Sequence, residues 1–296
     1  MSEPVPAFLN PAAGSATAAA RALEADPRFT LRRVAGAHLA EEIRRDLAGG
    51  ARRILVAGGD GTLATAAGAL LDSSAELALL PAGTLNHFAR SLGVPADPRE
   101  ALDVAAGSGT RRVDVGMVNG HPFLNTSSLG AYVALVRRRE RLRPRLGYLA
   151  SGAVATAAVL LRLPRFSLAL EVDGHEETYR TPLLFVGVGE RDLALPGFGR
   201  RVDEGSGVLH AVVVPGGGRA RLLALAMATA ASRTWRLARM PQVDSFLVRR
   251  CRVDLPRRAA HVALDGELVA LRSPLRYRIL PGALTVVAPE RPDEGR

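Results

Sequence analysis

The hydrophobic positions change rhythm part-way along the chain. In the first third, short continuous apolar runs alternate with alanine-rich stretches of helical composition. Val5–Leu9 predicts a strand and residues 16–23 a helix behind a loop. Residues 53–57, Arg-Ile-Leu-Val-Ala, are apolar throughout after the leading arginine, the pattern of a strand buried on both faces. That run ends at Gly58-Gly59-Asp60-Gly61, and residues 62–71 then have the composition of a helix. Residues 77–80 predict a second buried strand, stopped by Pro81, with a helix over 85–92. Strands alternating with helices imply βα units and a parallel sheet.

Past about residue 112 the pattern becomes that of hairpins. Asn119-Gly120, Asp173-Gly174 and Asp265-Gly266 each stand between strand-like runs, and these dipeptides suit tight two-residue turns because both positions adopt positive φ readily. Strand-like runs near 113–118, 168–172, 183–188, 208–214, 246–255 and 277–280 surround them, with helical interruptions near 148–162 and 219–239. The expected organisation is an α/β domain over 1–112 and a β-rich, mostly antiparallel domain over 113–289. The last strand is a candidate to return to the first domain, and 290–296 forms a frayed tail.

Composition narrows the chemistry. All 39 basic residues are arginine, so the formal charge of +10 owes nothing to lysine. A P-loop lysine, a Schiff-base lysine and a lysine general base are thereby excluded. A single cysteine, Cys251, excludes an intrachain disulfide and a CxxC zinc or redox site. The start of the chain has neither a basic n-region nor a long apolar segment, which leads to the expectation of a cytoplasmic protein. Arginine doublets are scattered rather than gathered in a stripe, and Trp235 with the few tyrosines builds no stacking platform, so nucleic acid is not an expected partner. The densest basic stretch, 137–145, precedes the apolar stretch 146–161. That juxtaposition suits an anionic membrane surface contacted peripherally, and it equally suits a solvated helix end followed by a core helix.

Three loops carry the candidate chemistry. Gly58-Gly59-Asp60-Gly61-Thr62 follows a buried strand and opens a helix, where glycines admit an anion to the main-chain N–H groups. Asp60 would repel a bare phosphate, and a magnesium ion between them resolves that conflict. Pro81-Ala82-Gly83-Thr84-Leu85-Asn86 follows the next strand, and Asn10-Pro11-Ala12-Ala13-Gly14 follows the first. In parallel sheets such loops gather at the carboxyl ends of the strands, where ligands bind. Together they suggest a nucleotide-phosphate site made of backbone amides. Leu264-Asp265-Gly266-Glu267 reads either as a plain turn or as a general base, Asp265, with Glu267 as a neighbouring acceptor or orienter.

Taken in chain order, from Asn10 through Gly58 and Pro81 to Leu264, these blocks resemble the diacylglycerol-kinase catalytic-domain family, which includes bacterial lipid kinases and sphingosine and ceramide kinases. The resemblance runs over essentially the whole chain, and Pro81-x-Gly83-Thr84-x-Asn86 is its most specific part. It implies a first domain like that of NAD kinases and 6-phosphofructokinases and a β-rich second domain. ATP with magnesium would be the cofactors, and the γ-phosphate would pass to a lipid hydroxyl of diacylglycerol type. Asn10, Gly58, Gly59, Asp60, Gly61, Thr62, Gly83, Thr84 and Asn86 would line the nucleotide, Asp60 would meet the metal, and Asp265 would be the base with Glu267 beside it. Asp203, in 202–209, resembles an acidic region that binds a structural magnesium. His87 stands where many members have aspartate, and Ala64 replaces a common asparagine. The alternative is therefore a catalytically impaired nucleotide- or lipid-binding protein of the same fold. A homodimer is left open.

Overall fold

The computed structural model describes residues 3–162, 165–191, 205–214 and 244–290. In chain order the elements are β1 (Val5–Leu9), α1 (Ala16–Glu24), β2 (Phe29–Arg33), α2 (Gly36–Ala48), β3 (Arg53–Gly58), α3 (Asp60–Leu70), β4 (Glu76–Pro81), α4 (His87–Ser91) and α5 (Pro98–Ala106). Then come β5 (Thr110–Val118), β6 (His121–Phe123), β7 (Thr126–Gly130), α6 (Ala131–Arg162), β8 (Phe166–Val172), β9 (His175–Thr181), β10 (Leu183–Val188) and β11 (Leu209–Val214). The chain finishes with β12 (Asp244–Val248), β13 (Arg250–Asp254), β14 (Ala259–Leu264), β15 (Glu267–Arg272) and β16 (Leu275–Val287). Asp203, Trp235, the helix expected over 219–239 and residues 291–296 lie outside the described residues.

The chain divides into two units, residues 1–115 with 280–296, and residues 116–279. The strand β16 is shared: it begins in the second unit and ends in the first. In the first unit the parallel order is β2-β1-β3-β4, with the last part of β16 added in parallel beside β4 (Thr285 opposite Glu76, Val286 opposite Leu77). The unbroken apolar runs are explained by this arrangement. Phe8, Ile54, Leu55, Val56, Leu77 and Leu80 have no solvent exposure, because helices cover both faces of a parallel sheet. The register Leu9 opposite Ala57 and Ala57 opposite Leu80 brings the carboxyl ends of β1, β3 and β4 level. Helix α5 starts from an Asp97 cap whose carboxylate accepts from the Arg99 and Glu100 N–H groups, with Pro98 as its first residue.

The second unit holds a six-stranded sheet, β12-β11-β10-β7-β14-β15, in which every pairing is antiparallel. The first part of β16, β13, β8 and β9 form another antiparallel array. Residues of both, among them Leu129, Val186, Val213, Leu170, Val253 and Tyr277, pack into one apolar core. Within it the Ser127 and Tyr277 hydroxyls bond to each other at 2.9 Å, as buried polar atoms require. The expected α/β first part and mostly antiparallel second part are thus both present.

Two expectations are corrected. The run 246–255 is not one strand: β12 joins β11, whereas β13 joins β16 and β8. Val248 and Cys251 are both buried but three residues apart, which a strand of period two cannot accommodate, so the chain passes between sheets at Arg249. The helix expected over 148–162 is the second half of α6, whose first half begins at Ala131. There Val133 and Val136, three apart, make the buried stripe among arginines.

Candidate functional site

The three loops at the carboxyl ends of β1, β3 and β4 are stitched to one another. Asn10 Nδ2 donates to Thr62 Oγ1 at 3.0 Å, while Asn10 Oδ1 accepts from its own loop at the Ala12 N–H, also 3.0 Å. The Ser15 N–H donates to Ala82 O at 2.8 Å and the Ala82 N–H to Gly58 O at 3.0 Å. Asp60, in the first turn of α3, turns its carboxylate towards α4: Oδ1 accepts from the Phe88 N–H at 2.8 Å and Oδ2 from the His87 N–H at 3.0 Å. Asp60 therefore ties the second loop to the third.

Asn86 has φ of 50°, a left-handed conformation that asparagine tolerates. Its side chain closes its own loop, with Oδ1 accepting from the Gly83 N–H at 2.8 Å and Nδ2 donating to Gly83 O at 2.9 Å. The glycines have a steric reason to be glycine. A Cβ on Gly83 would lie 2.5 Å from Gly59 Cα, one on Gly59 would lie 3.2 Å from Gly83 Cα, and one on Gly58 would fall 2.6 Å from Thr62 Cβ. The backbones of two loops pass each other without side chains between them. Gly14 and Thr84 meet on the other side, where a Cβ on Gly14 would be 3.5 Å from Thr84 Oγ1. Asn10, Gly58, Gly59, Asp60, Gly61, Thr62, Gly83, Thr84 and Asn86 are thus brought together in one place. Ala64 is buried one turn into α3, and His87 is exposed, contributing its N–H to Asp60.

This cluster can receive phosphate. Helix α3 is capped by the backbone of Gly59 with no side-chain hydrogen bond, so its first N–H groups are left to a ligand or to water. For a magnesium ion the loops offer the single carboxylate Asp60, which suffices where phosphates supply the other ligands. Among the described residues there is no cluster of three acidic, histidine or cysteine side chains of metal-binding type.

Asp265 lies in the second unit. It has φ of 47° and Gly266 φ of 92°, the hairpin geometry expected of the dipeptide. Its carboxylate accepts three backbone N–H groups: Leu124 at 2.6 Å on Oδ2, and Asn125 and Thr126 at 2.8 Å each on Oδ1. Those donors stand about 140 residues earlier in the chain. Asp173, with φ of 50° in the same kind of turn, has no side-chain hydrogen bond among the described residues. One Asp-Gly is only a turn; the other is a turn with a fixed carboxylate. Glu267 starts β15 with an exposed side chain and no hydrogen bond to Asp265, so orientation comes from the 124–126 backbone.

Behind that backbone lies a residue no sequence motif points to. Arg191 is 6% exposed and donates through Nη2 to Asn125 O at 2.6 Å and Val188 O at 2.8 Å. The Arg191 N–H donates to His210 Nδ1 at 2.9 Å, and His210 Nε2 bonds Ser245 Oγ at 3.0 Å. Burial holds the His210 imidazole below its usual range, so it stays neutral and accepts.

Residues 4–118 match the model of the diacylglycerol kinase catalytic domain. A Pseudomonas fluorescens Pf-5 protein named "Probable lipid kinase YegS-like" is 34% identical over 262 residues, 84% of this chain and 81% of the relative. This chain belongs to the diacylglycerol-kinase catalytic-domain family. A relative of the same name from Pseudomonas aeruginosa UCBPP-PA14 is 33% identical over 278 residues, covering 83% of this chain and 80% of its own length. In fold, the chain matches a Bacillus anthracis str. Sterne structure described as a diacylglycerol kinase, with a TM-score of 0.69, 21% identity and 97% of each chain covered. The matched domain contains all three stitched loops of this lipid-kinase chain, whereas Asp265 lies beyond it.

Proposed function

We propose that this chain is an ATP- and magnesium-dependent kinase that transfers the γ-phosphate to the hydroxyl of a diacylglycerol-like lipid at a membrane surface. The observation that carries the reading is the set of three interlocked loops ending in an uncapped helix, in a chain of a lipid-kinase family. In it, Gly59 to Thr62, with Gly83, Thr84, Asn86 and Asn10, hold the nucleotide phosphates, and Asp60 holds the metal. When bound, ATP supplies the phosphoryl group, and the magnesium neutralises charge on the phosphates.

Asp265 accepts the proton of the lipid hydroxyl. The N–H groups of Leu124, Asn125 and Thr126 hold its carboxylate in one orientation. The held geometry reduces the orientational freedom that a general base must otherwise lose. Arg191 supports the donors from behind. Glu267, exposed beside the turn, is proposed as a further acceptor near the lipid headgroup.

The test is incubation of the full chain with labelled ATP, magnesium and a total lipid extract, followed by identification of whichever lipid gains phosphate. Label in a single class of hydroxyl-bearing lipid is the expected result. ATP binding with no lipid labelled would refute the kinase reading in favour of a nucleotide-binding protein without turnover.

A further inference from the structure

Helix α6 changes character at Gly147, where φ is 70° and ψ 178°. Beyond that break, Ser151, Ala155 and Val159 recur every four residues and are buried, and the helix packs on β7, β14 and β15. Two positions away, Leu149, Ala153, Ala157 and Leu161 recur at the same interval and are all exposed, Leu149 by 84% and Leu161 by 74%. Leu146 and Val154, each 44% exposed, widen the ridge, and no charged residue occurs from 146 to 161. A surface helix normally turns polar residues outward. This one is apolar on both faces, and a patch that no described residue covers marks an interaction surface.

The neighbouring charge says which kind. Residues 137–145 carry six arginines and one glutamate. Glu140 is taken by Arg139 at 3.1 Å and Arg143 at 3.3 Å, and Arg137, Arg138, Arg141 and Arg145 have no ion-pair partner among the described residues. A second copy docked through this face would bring its own arginine cluster with it, and like charges oppose such a contact. Anionic headgroups above hydrocarbon match both halves: phosphates for the guanidinium groups and acyl chains for the leucines. The helical segment after the break is about 22 Å long at 1.5 Å per residue, and no helix among the described residues is long and apolar enough to cross a membrane. It suits lying in the interface.

We infer that the outer face of α6 is the bilayer-docking surface of this protein. Leu149 and Leu161 enter the boundary between headgroups and acyl chains, and the arginines of 137–145 engage lipid phosphates. The inference rests on the lipid-kinase reading for the reason a bilayer is met.

The experiment uses the full chain and sedimentation with vesicles of phosphatidylcholine alone or mixed equally with phosphatidylglycerol. Leu149→Gln with Leu161→Gln should weaken binding to mixed vesicles about tenfold at any salt, equivalent to about 1.4 kcal/mol. Arg138→Gln with Arg141→Gln should weaken it chiefly at low salt, since screening already removes that component at high salt. All four positions are exposed, so thermal melting should be unchanged. Phosphorylation of a short-chain, water-soluble diacylglycerol should also be unchanged, while that of vesicle-borne lipid falls. Vesicle binding indifferent to the leucine pair overturns the inference, as does a switch from dimer to monomer on the same substitution without lipid. If no lipid is phosphorylated at all but vesicle binding follows the leucines, the kinase reading fails and the docking surface stands.

Discussion

Asp265→Asn and Asp173→Asn make the same chemical change at two hairpin turns of nearly identical backbone, φ 47° and 50°. Asparagine tolerates the left-handed conformation, so neither change strains the turn. At Asp173 nothing else is lost, and a cost below about 0.5 kcal/mol is expected of a surface substitution. At Asp265 two acceptances at Oδ1 become neutral, each falling from about 1.5–3 to about 0.5–1.5 kcal/mol. The amide nitrogen meanwhile meets the Leu124 N–H, which now donates to Oδ2 at 2.6 Å. Leu124 has no exposure, so this donor is left unmet at about 1–3 kcal/mol. Allowing for non-additivity, Asp265→Asn should cost about 2–4 kcal/mol. Urea unfolding followed by circular dichroism reads the difference as a shift in midpoint at constant slope. Assayed where the variant is still folded, turnover should fall about 10²–10⁴-fold if Asp265 is the base. Equal midpoints for the two variants would refute the clamp, and near-full turnover of folded Asp265→Asn would refute the base.

Gly83→Ala should destabilise the first unit by about 1–3 kcal/mol, because its Cβ would lie 2.5 Å from Gly59 Cα. Calorimetry should show weakened ATP binding as well, and unchanged melting with undiminished affinity would remove the close approach from the argument. The pH dependence of stability should carry a His210 component. An unfolded imidazole takes up its proton near pH 6.5, whereas the folded one is held below that value by burial. Its contribution is therefore present above pH 6.5 and is lost as pH falls below it. The difference in melting temperature between pH 7.5 and pH 5 should shrink in His210→Gln; an identical difference would exclude His210 as the source.

The hairpins could be read in advance because their cause is local. Asn119, Asp173 and Asp265 each precede glycine, and all three adopt positive φ as the dipeptides predict. The parallel strands β1, β3 and β4 were equally visible, since burial on both faces leaves an apolar run, whereas β2, Phe-Thr-Leu-Arg-Arg at the sheet edge, was not read in advance. Strand β9, reading His-Glu-Glu-Thr-Tyr-Arg-Thr, has little apolar pattern because it ends its array and faces solvent. Helix α5 was not among the expected elements, although Asp97-Pro98, a cap followed by a proline at the first helical position, marks its start. What sequence could not separate was Asp265 from Asp173. The difference lies in the N–H groups of Leu124, Asn125 and Thr126, placed by the fold and not by any neighbour in sequence. The same holds for Asp60, whose role as a tie depends on where the following loop comes to rest.

The shared strand β16 has a consequence for how the protein is made. On a ribosome β1 to β4 emerge early, yet the strand that flanks β4 arrives only with Thr285 and Val286, about 200 residues after β4. Until then β4, with five of its six residues buried in the finished fold, is an open, apolar edge able to pair with another chain. The nascent loop at its carboxyl end is correspondingly unsupported. Every chain therefore passes through a stretch of synthesis in which it is open to misassociation, and Thr285 and Val286 act as its closing stitch.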